Sequence, residues 1–203
     1  MKIVVLSASR HKNCTLKDVA GGFGTVFTIG NSRFARLLEI AKRRIASVPS
    51  VTAAYLDSIL SAAGVEAAIR PNPLERADVY LIASSITDCQ YEIELGKRAR
   101  KEFGAKVGYF GTFAAAVPEF YQEASDFIVK SEIEALAQQL AAGKIPSGVV
   151  DPGFVAELND LPFPDWRQFR LRQYHYSIIT TRGITLPMLS SRGCPYTCGY
   201  CPY

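Results

Sequence analysis

Three thiols crowd the last ten residues of the chain, Cys194, Cys198 and Cys201, in the run Cys194-Pro195-Tyr196-Thr197-Cys198-Gly199-Tyr200-Cys201-Pro202-Tyr203. Their C-x3-C-x2-C spacing suits one metal centre, because a compact Gly- and Pro-rich loop can turn all three sulfurs inward. An iron-sulfur cluster ordinarily takes four Cys ligands, so a loop that supplies three leaves one iron open to an exogenous group. A structural zinc site wants four protein ligands, often as two C-x2-C pairs. No fourth Cys or His stands nearby: His175 is well upstream and His11 lies near the other end of the chain. The spacing therefore favours iron-sulfur over zinc.

A second set of residues lies where strands are expected to end. Ser84, Ser85 and Thr87 follow one apolar run, Gly111, Thr112 and Phe113 another, and Lys130 and Ser131 a third. Open α/β sheets bind ligands at the carboxyl ends of their strands. Small residues, hydroxyls and free amides at three successive ends suit a polar cofactor lying across that edge. Ser and Thr at such places also cap the following helices, and for any single residue the two roles are equally open.

The elements that would position these groups follow from the apolar pattern. Lys2 to Ser7 reads as a first buried strand, Val65 to Arg70 as a second, Ala77 to Ser84 as a third, Ala105 to Gly111 as a fourth and Asp126 to Ser131 as a fifth. Helices are expected from Ser32 to about Ala46 after an Asn31 cap, from Ser50 to Ala63, from Thr87 or Asp88 to Phe103 before Gly104, from Val117 to Ala124, and from Ile133 to Ala142 before Gly143. Strands that alternate with helices, nearly continuous in apolar residues, predict a doubly wound parallel sheet with helices on both faces. Residues 8 to 30 hold too many breakers for a helix and open at a strand end, as a binding loop does. Gly21-Gly22-Phe23-Gly24 within them is no phosphate fingerprint, since it neither carries Lys-Ser/Thr nor opens a helix.

The α/β unit spans residues 1–144. Residues 145–174, with Pro146, Pro152, Pro162 and Pro164, read as a linker in which Asp165-Trp166 is an anchor. A further domain begins at 175–203, with strands expected at Tyr176 to Thr181 and Thr185 to Ser190 leading into the cysteines. Of the two remaining thiols, Cys89 is expected as a small buried hydrophobe, and Cys14 lies in the loop.

At 203 residues, 48% hydrophobic and 21% charged, the chain has the make-up of a folded globular protein. Its net charge of +4 is dispersed, and Lys42-Arg43-Arg44 falls on a helix face, so no nucleic-acid surface is expected. Met1 to Leu6 is too short for a leader or a membrane span. Five cysteines, odd in number, fit reduced ligands better than disulfides, and a cytoplasmic location is expected.

The run Thr185 to Tyr203, with Arg192-Gly193 before the first thiol and aromatic Tyr200 before the last, resembles the cluster loop of radical S-adenosylmethionine (SAM) enzymes. The likeness implies a 4Fe-4S cluster on Cys194, Cys198 and Cys201, SAM on the open iron, and Tyr200 against the adenine region. A flavodoxin-like, Rossmann-like domain, then Leu161-Pro162-Phe163-Pro164, then the thiols, is similar to the cobalamin-binding members of that family. Gly111-Thr112-Phe113-Ala114 through Pro118-Glu119, and Asp126 through Lys130, stand where those proteins have cofactor loops. The Asp-x-His-x-x-Gly of many cobalamin domains is missing, since the frame around His11 lacks both Asp and Gly.

The resemblance implies reduction of the cluster by ferredoxin or flavodoxin, cleavage of SAM to a 5′-deoxyadenosyl radical, and methyl transfer from methylcobalamin to a small-molecule substrate. It also implies a barrel continuing beyond Tyr203, and hence little turnover by these 203 residues alone. The alternative is a non-catalytic α/β binding module whose Cys tail is vestigial or holds zinc.

Overall fold

A computed structural model of the protein describes residues 1–9, 14–15, 25–26, 30–43, 48–70, 74–174, 183–184, 186–189, 192, 196 and 198–199, of which 14–15, 25–26, 41–43 and 173 are described in backbone only. Among them are strands β1 (Lys2–Leu6), β2 (Cys14–Thr15), β3 (Thr25–Val26), β4 (Glu66–Arg70), β5 (Val79–Ala83), β6 (Lys106–Phe110), β7 (Phe127–Val129) and β8 (Gly148–Val150). The helices are α1 (Arg33–Arg43), α2 (Val51–Ala62), α3 (Cys89–Phe103), α4 (Thr112–Ala116) and α5 (Ile133–Ala141).

Six strands form one parallel sheet in the order β4-β1-β5-β6-β7-β8. Successive side chains of a strand point to opposite faces, and the two faces are both buried here. Val4, Leu6, Tyr80, Ile82, Val107 and Tyr109 pack with Leu95 and Ala99 of α3 and with Phe113 of α4. Ile3, Val5, Val79, Leu81, Phe127 and Val129 pack with Leu56 and Leu60 of α2 and with Leu136 and Leu140 of α5. This is the Rossmann-like α/β class that near-continuous apolar strands predict. Gly108 of β6 makes room for this packing, since a Cβ there would stand 2.1 Å from the Phe127 ring.

Helix ends follow local chemistry. The Ser50 side chain accepts from Ala53 N–H at 3.1 Å and starts α2, while Gly104 at φ 65° closes α3. Helix α1 starts one residue later than expected, because Ser32 Oγ takes Ala35 N–H at 3.1 Å.

Five expectations change. The short helix at 117–124 is two 3-10 turns, Pro118–Phe120 and Gln122–Ala124, and a helical turn, α4, fills the segment read as a loop after β6. The long loop after β1 carries the antiparallel β2-β3 ladder. Residues 148–150, read as linker, add the sixth strand beside β7. Residues 186–189, expected in a strand, are in none. The strand expected at 176–181, His11 and Gly21 to Gly24 lie outside the described residues.

The rest of 151–174 lies against the domain. Asp165 N–H donates to Ala54 O at 3.0 Å, and Ser58 Oγ donates to Phe163 O at 2.7 Å. Leu161 and Phe169 pack on the α2-α5 face, and half-buried Trp166 meets Phe169 edge-on at 5.4 Å. The side-chain amide of Gln168 pairs with the outer edge of β4 as a peptide would. Its Oε1 accepts from Ile69 N–H at 3.1 Å and its Nε2 donates to Ala67 O at 2.8 Å.

Candidate functional site

Strand β1 lies between β4 and β5; the chain leaves β1 for β4 through α2 on one face and leaves β5 for β6 through α3 on the other. The switch point is thus at the carboxyl ends of β1 and β5, where a crevice opens in such sheets. It is flanked by Ser7 to Ser9 and by Ser84 to Thr87.

Ser84 is buried, and its Oγ accepts from Ala114 N–H at 3.0 Å, so it caps the helix that follows the neighbouring strand. Gly111 sits between them at φ 103°, ψ 169°, and a Cβ there would meet Ser84 Oγ at 3.1 Å. Two strand ends are thereby locked together. The locked parts are Ser84, Gly111 and the first turn of α4.

Ser85 turns inward as well. Its Oγ donates to Glu92 Oε1 at 2.9 Å and accepts from Asp88 N–H at 3.2 Å, its own N–H reaches Glu92 Oε2 at 3.2 Å, and Thr87 Oγ1 lies 3.4 Å from its hydroxyl. Glu92 is fully buried. Tyr121 donates to its Oε2 at 2.5 Å, and Tyr109 donates to its main-chain carbonyl at 3.1 Å. The two rings stack tilted at 4.4 Å. Gly96 gives Tyr109 its passage, because a Cβ there would stand 2.0 Å from the phenol oxygen. Burial, reinforced by the Glu92 charge, pushes both phenols far above their ordinary range. They stay protonated and remain donors.

Neither Glu92 nor the two tyrosines stands out in the sequence as part of a site. The one available signal is that Glu92 heads the buried stripe of α3, Glu92, Leu95, Gly96 and Ala99.

The third strand end is more open. Lys130 is exposed, Thr112 is half-buried at the start of α4, and Phe113 packs inward against Phe120 at 5.7 Å and Tyr121 at 6.1 Å. Ser131 Oγ is buried with no hydrogen-bond partner. It stands near the Asp151 carboxylate. That proximity, with the Gly153 N–H at 3.0 Å, holds the Asp151 carboxyl below its usual range. Half-buried Cys89 at the start of α3 packs on the core, and burial pushes its thiol up.

Arg192, two residues before the first cysteine, reaches this edge. Its Nη1 lies 3.1 Å from Glu132 Oε1 and its Nη2 lies 3.0 Å from Glu134 Oε1. Its guanidinium carbon lies 5.3 Å from the centre of the Tyr55 ring. Glu132 precedes α5 and Glu134 is in its first turn, while Tyr55 belongs to α2. Both helices start at the carboxyl edge, as crossover helices must. Glu134 is only 6% exposed; burial pushes its carboxyl above the ordinary range, against the pull of Arg192.

Cys194, Cys201 and Tyr200 lie outside the described residues, and Cys198 is exposed and in no disulfide. Among the described residues no three His, Cys, Asp or Glu side chains are grouped to hold a metal ion. No helix among them is long and apolar enough to cross a membrane. The chain matches no protein-family model, no curated protein and no solved structure.

Proposed function

We propose that the chain is the cobalamin-binding domain and cluster loop of a radical SAM enzyme. Cys194, Cys198 and Cys201 would hold a 4Fe-4S cluster with one open iron, SAM would bind there beside Tyr200, and cobalamin would lie along the carboxyl edge of the sheet. The observation that carries this proposal is the C-x3-C-x2-C spacing, which begins two residues after an arginine tethered to that edge.

The donor set fits an iron-sulfur centre: three thiols, one of them described as exposed and unpaired. The strand ends fit a polar cofactor less through Ser84 and Ser85, whose hydroxyls turn inward, than through Thr112, Lys130 and the main chain around Gly111. When bound, the reduced cluster supplies one electron for cleaving SAM, and cobalamin supplies a methyl group. The chain's own part is to hold these groups at one edge, to exclude water there, and to keep the edge rigid through the Glu92 bonds.

Anaerobic reconstitution with iron and sulfide tests the metal site. A broad visible absorption that disappears when any of the three cysteines is replaced by serine is expected. Tight binding of zinc with refusal of iron would instead favour the non-catalytic module. Retention of a corrinoid spectrum after gel filtration with hydroxocobalamin tests the sheet edge separately.

A further inference from the structure

We propose that Arg192 is a positioning residue, the latch that seats the cysteine segment in a two-carboxylate socket at the carboxyl edge of the sheet. Its role as a positioner of metal rests on the function proposed above; the docking itself holds whatever the thiols bind.

Part of the socket is held by contacts other than those to Arg192. Glu134 is buried in the first turn of α5, where the helix N-terminus favours a negative charge but burial without a cation is costly. Glu132 is fixed independently, since its Oε2 accepts from Val155 N–H at 2.7 Å. Tyr55 supplies a ring for the guanidinium face. The cation paired with Glu134, Arg192, comes from 58 residues further on.

Arginine suits the socket and lysine does not. One planar fork reaches both carboxylates, Nη1 to Glu132 and Nη2 to Glu134, whereas an ammonium is a single point. Connectivity then keeps the described thiol, Cys198, six residues on, within about 20 Å of Arg192. Two parts of the sequence that read as separate sites thus share one edge.

The test is a pulsed-EPR distance between nitroxides on Cys198 and on Gln139→Cys, an exposed position of α5, with the other cysteines replaced by alanine. A narrow distribution is expected with Arg192 in place. Arg192→Met should broaden it by about twofold or more as the segment is released, and Arg192→Lys should fall between.

Arg192→Met also leaves Glu134 buried without its cation, so it should lower the midpoint of unfolding. Glu134→Gln/Arg192→Met should regain the midpoint yet stay broad, which separates positioning from stability. An unchanged distribution in Arg192→Met, or one that narrows again in the double variant, overturns the latch. Since this background cannot form the cluster, the outcome is independent of iron loading. If iron reconstitution fails while the distribution behaves as described, the function is refuted and the latch stands.

Discussion

Gly111→Ala should cost far more than a surface glycine substitution, and the structure says why. At φ 103° and ψ 169° Gly111 occupies a region that only glycine adopts freely, worth of order 1–3 kcal/mol to any other residue. The new methyl would also lie 3.1 Å from Ser84 Oγ, the acceptor for Ala114 N–H, and loosening that bond adds about 1 kcal/mol. A loss of about 3 kcal/mol is expected. Gly104→Ala is the control: φ is 65°, ψ is 19° and nothing lies within 4 Å of a Cβ, so only the left-handed penalty of about 1 kcal/mol applies.

Urea unfolding followed by circular dichroism should show both losses as shifts of midpoint with the slope unchanged. Ser84→Ala combined with Gly111→Ala should cost less than the sum of the two, because the contact they share is already gone. Equal losses at Gly111 and Gly104 would refute the claim that the β5 and β6 ends are locked together.

Tyr121→Phe removes a donor from fully buried Glu92 and should lower stability by about 2 kcal/mol; a change under about 0.5 kcal/mol in the same unfolding assay would mean that Glu92 is satisfied without it. Asp126 contributes to the acid limb of stability. Burial alone would raise its carboxyl, but Lys106 Nζ at 2.9 Å and Val107 N–H at 2.9 Å more than offset this and hold it below the ordinary 3.8. Its folded value is the lower one, so its contribution is present above 3.8 and fades as the pH falls through the folded value. Asp126→Asn should therefore flatten the fall in unfolding midpoint on acidification, and an unchanged acid slope would disprove the assignment.

What the sequence discloses is what is local. The strands from β1 to β7 in the main sheet are short apolar runs, and Ser50 and Gly104 mark helix ends by their own chemistry, so these elements are readable without partners. Strand β8 is not: Gly148-Val149-Val150 is brief, sits between prolines, and is a strand only because Phe127, Ile128 and Val129 lie beside it. The helix expected at 117–124 is displaced: the α-helical turn comes earlier, as α4, which cannot continue through Pro118, and two 3-10 turns follow.

The candidate site divides in the same way. The thiol spacing is written along the chain, and so are the hydroxyls at the strand ends. That Ser84 and Ser85 face inward could not be read, because their partners Ala114 and Glu92 are set by folding. The same holds for Arg192, whose carboxylates stand far away in sequence.

Gln168 has a bearing on where the folded unit can be cut. A sheet margin with bare amides and carbonyls invites pairing with another molecule, and this sheet has two margins. One ends on β8, a strand of only three residues, and at the other the Gln168 carboxamide lies along β4. Both finishing pieces come after Lys144, where the alternation of strand and helix stops. The shortest self-sufficient version of this domain accordingly runs to Gln168 at least, and the proline-rich stretch serves as a hem to the sheet rather than as slack between two bodies.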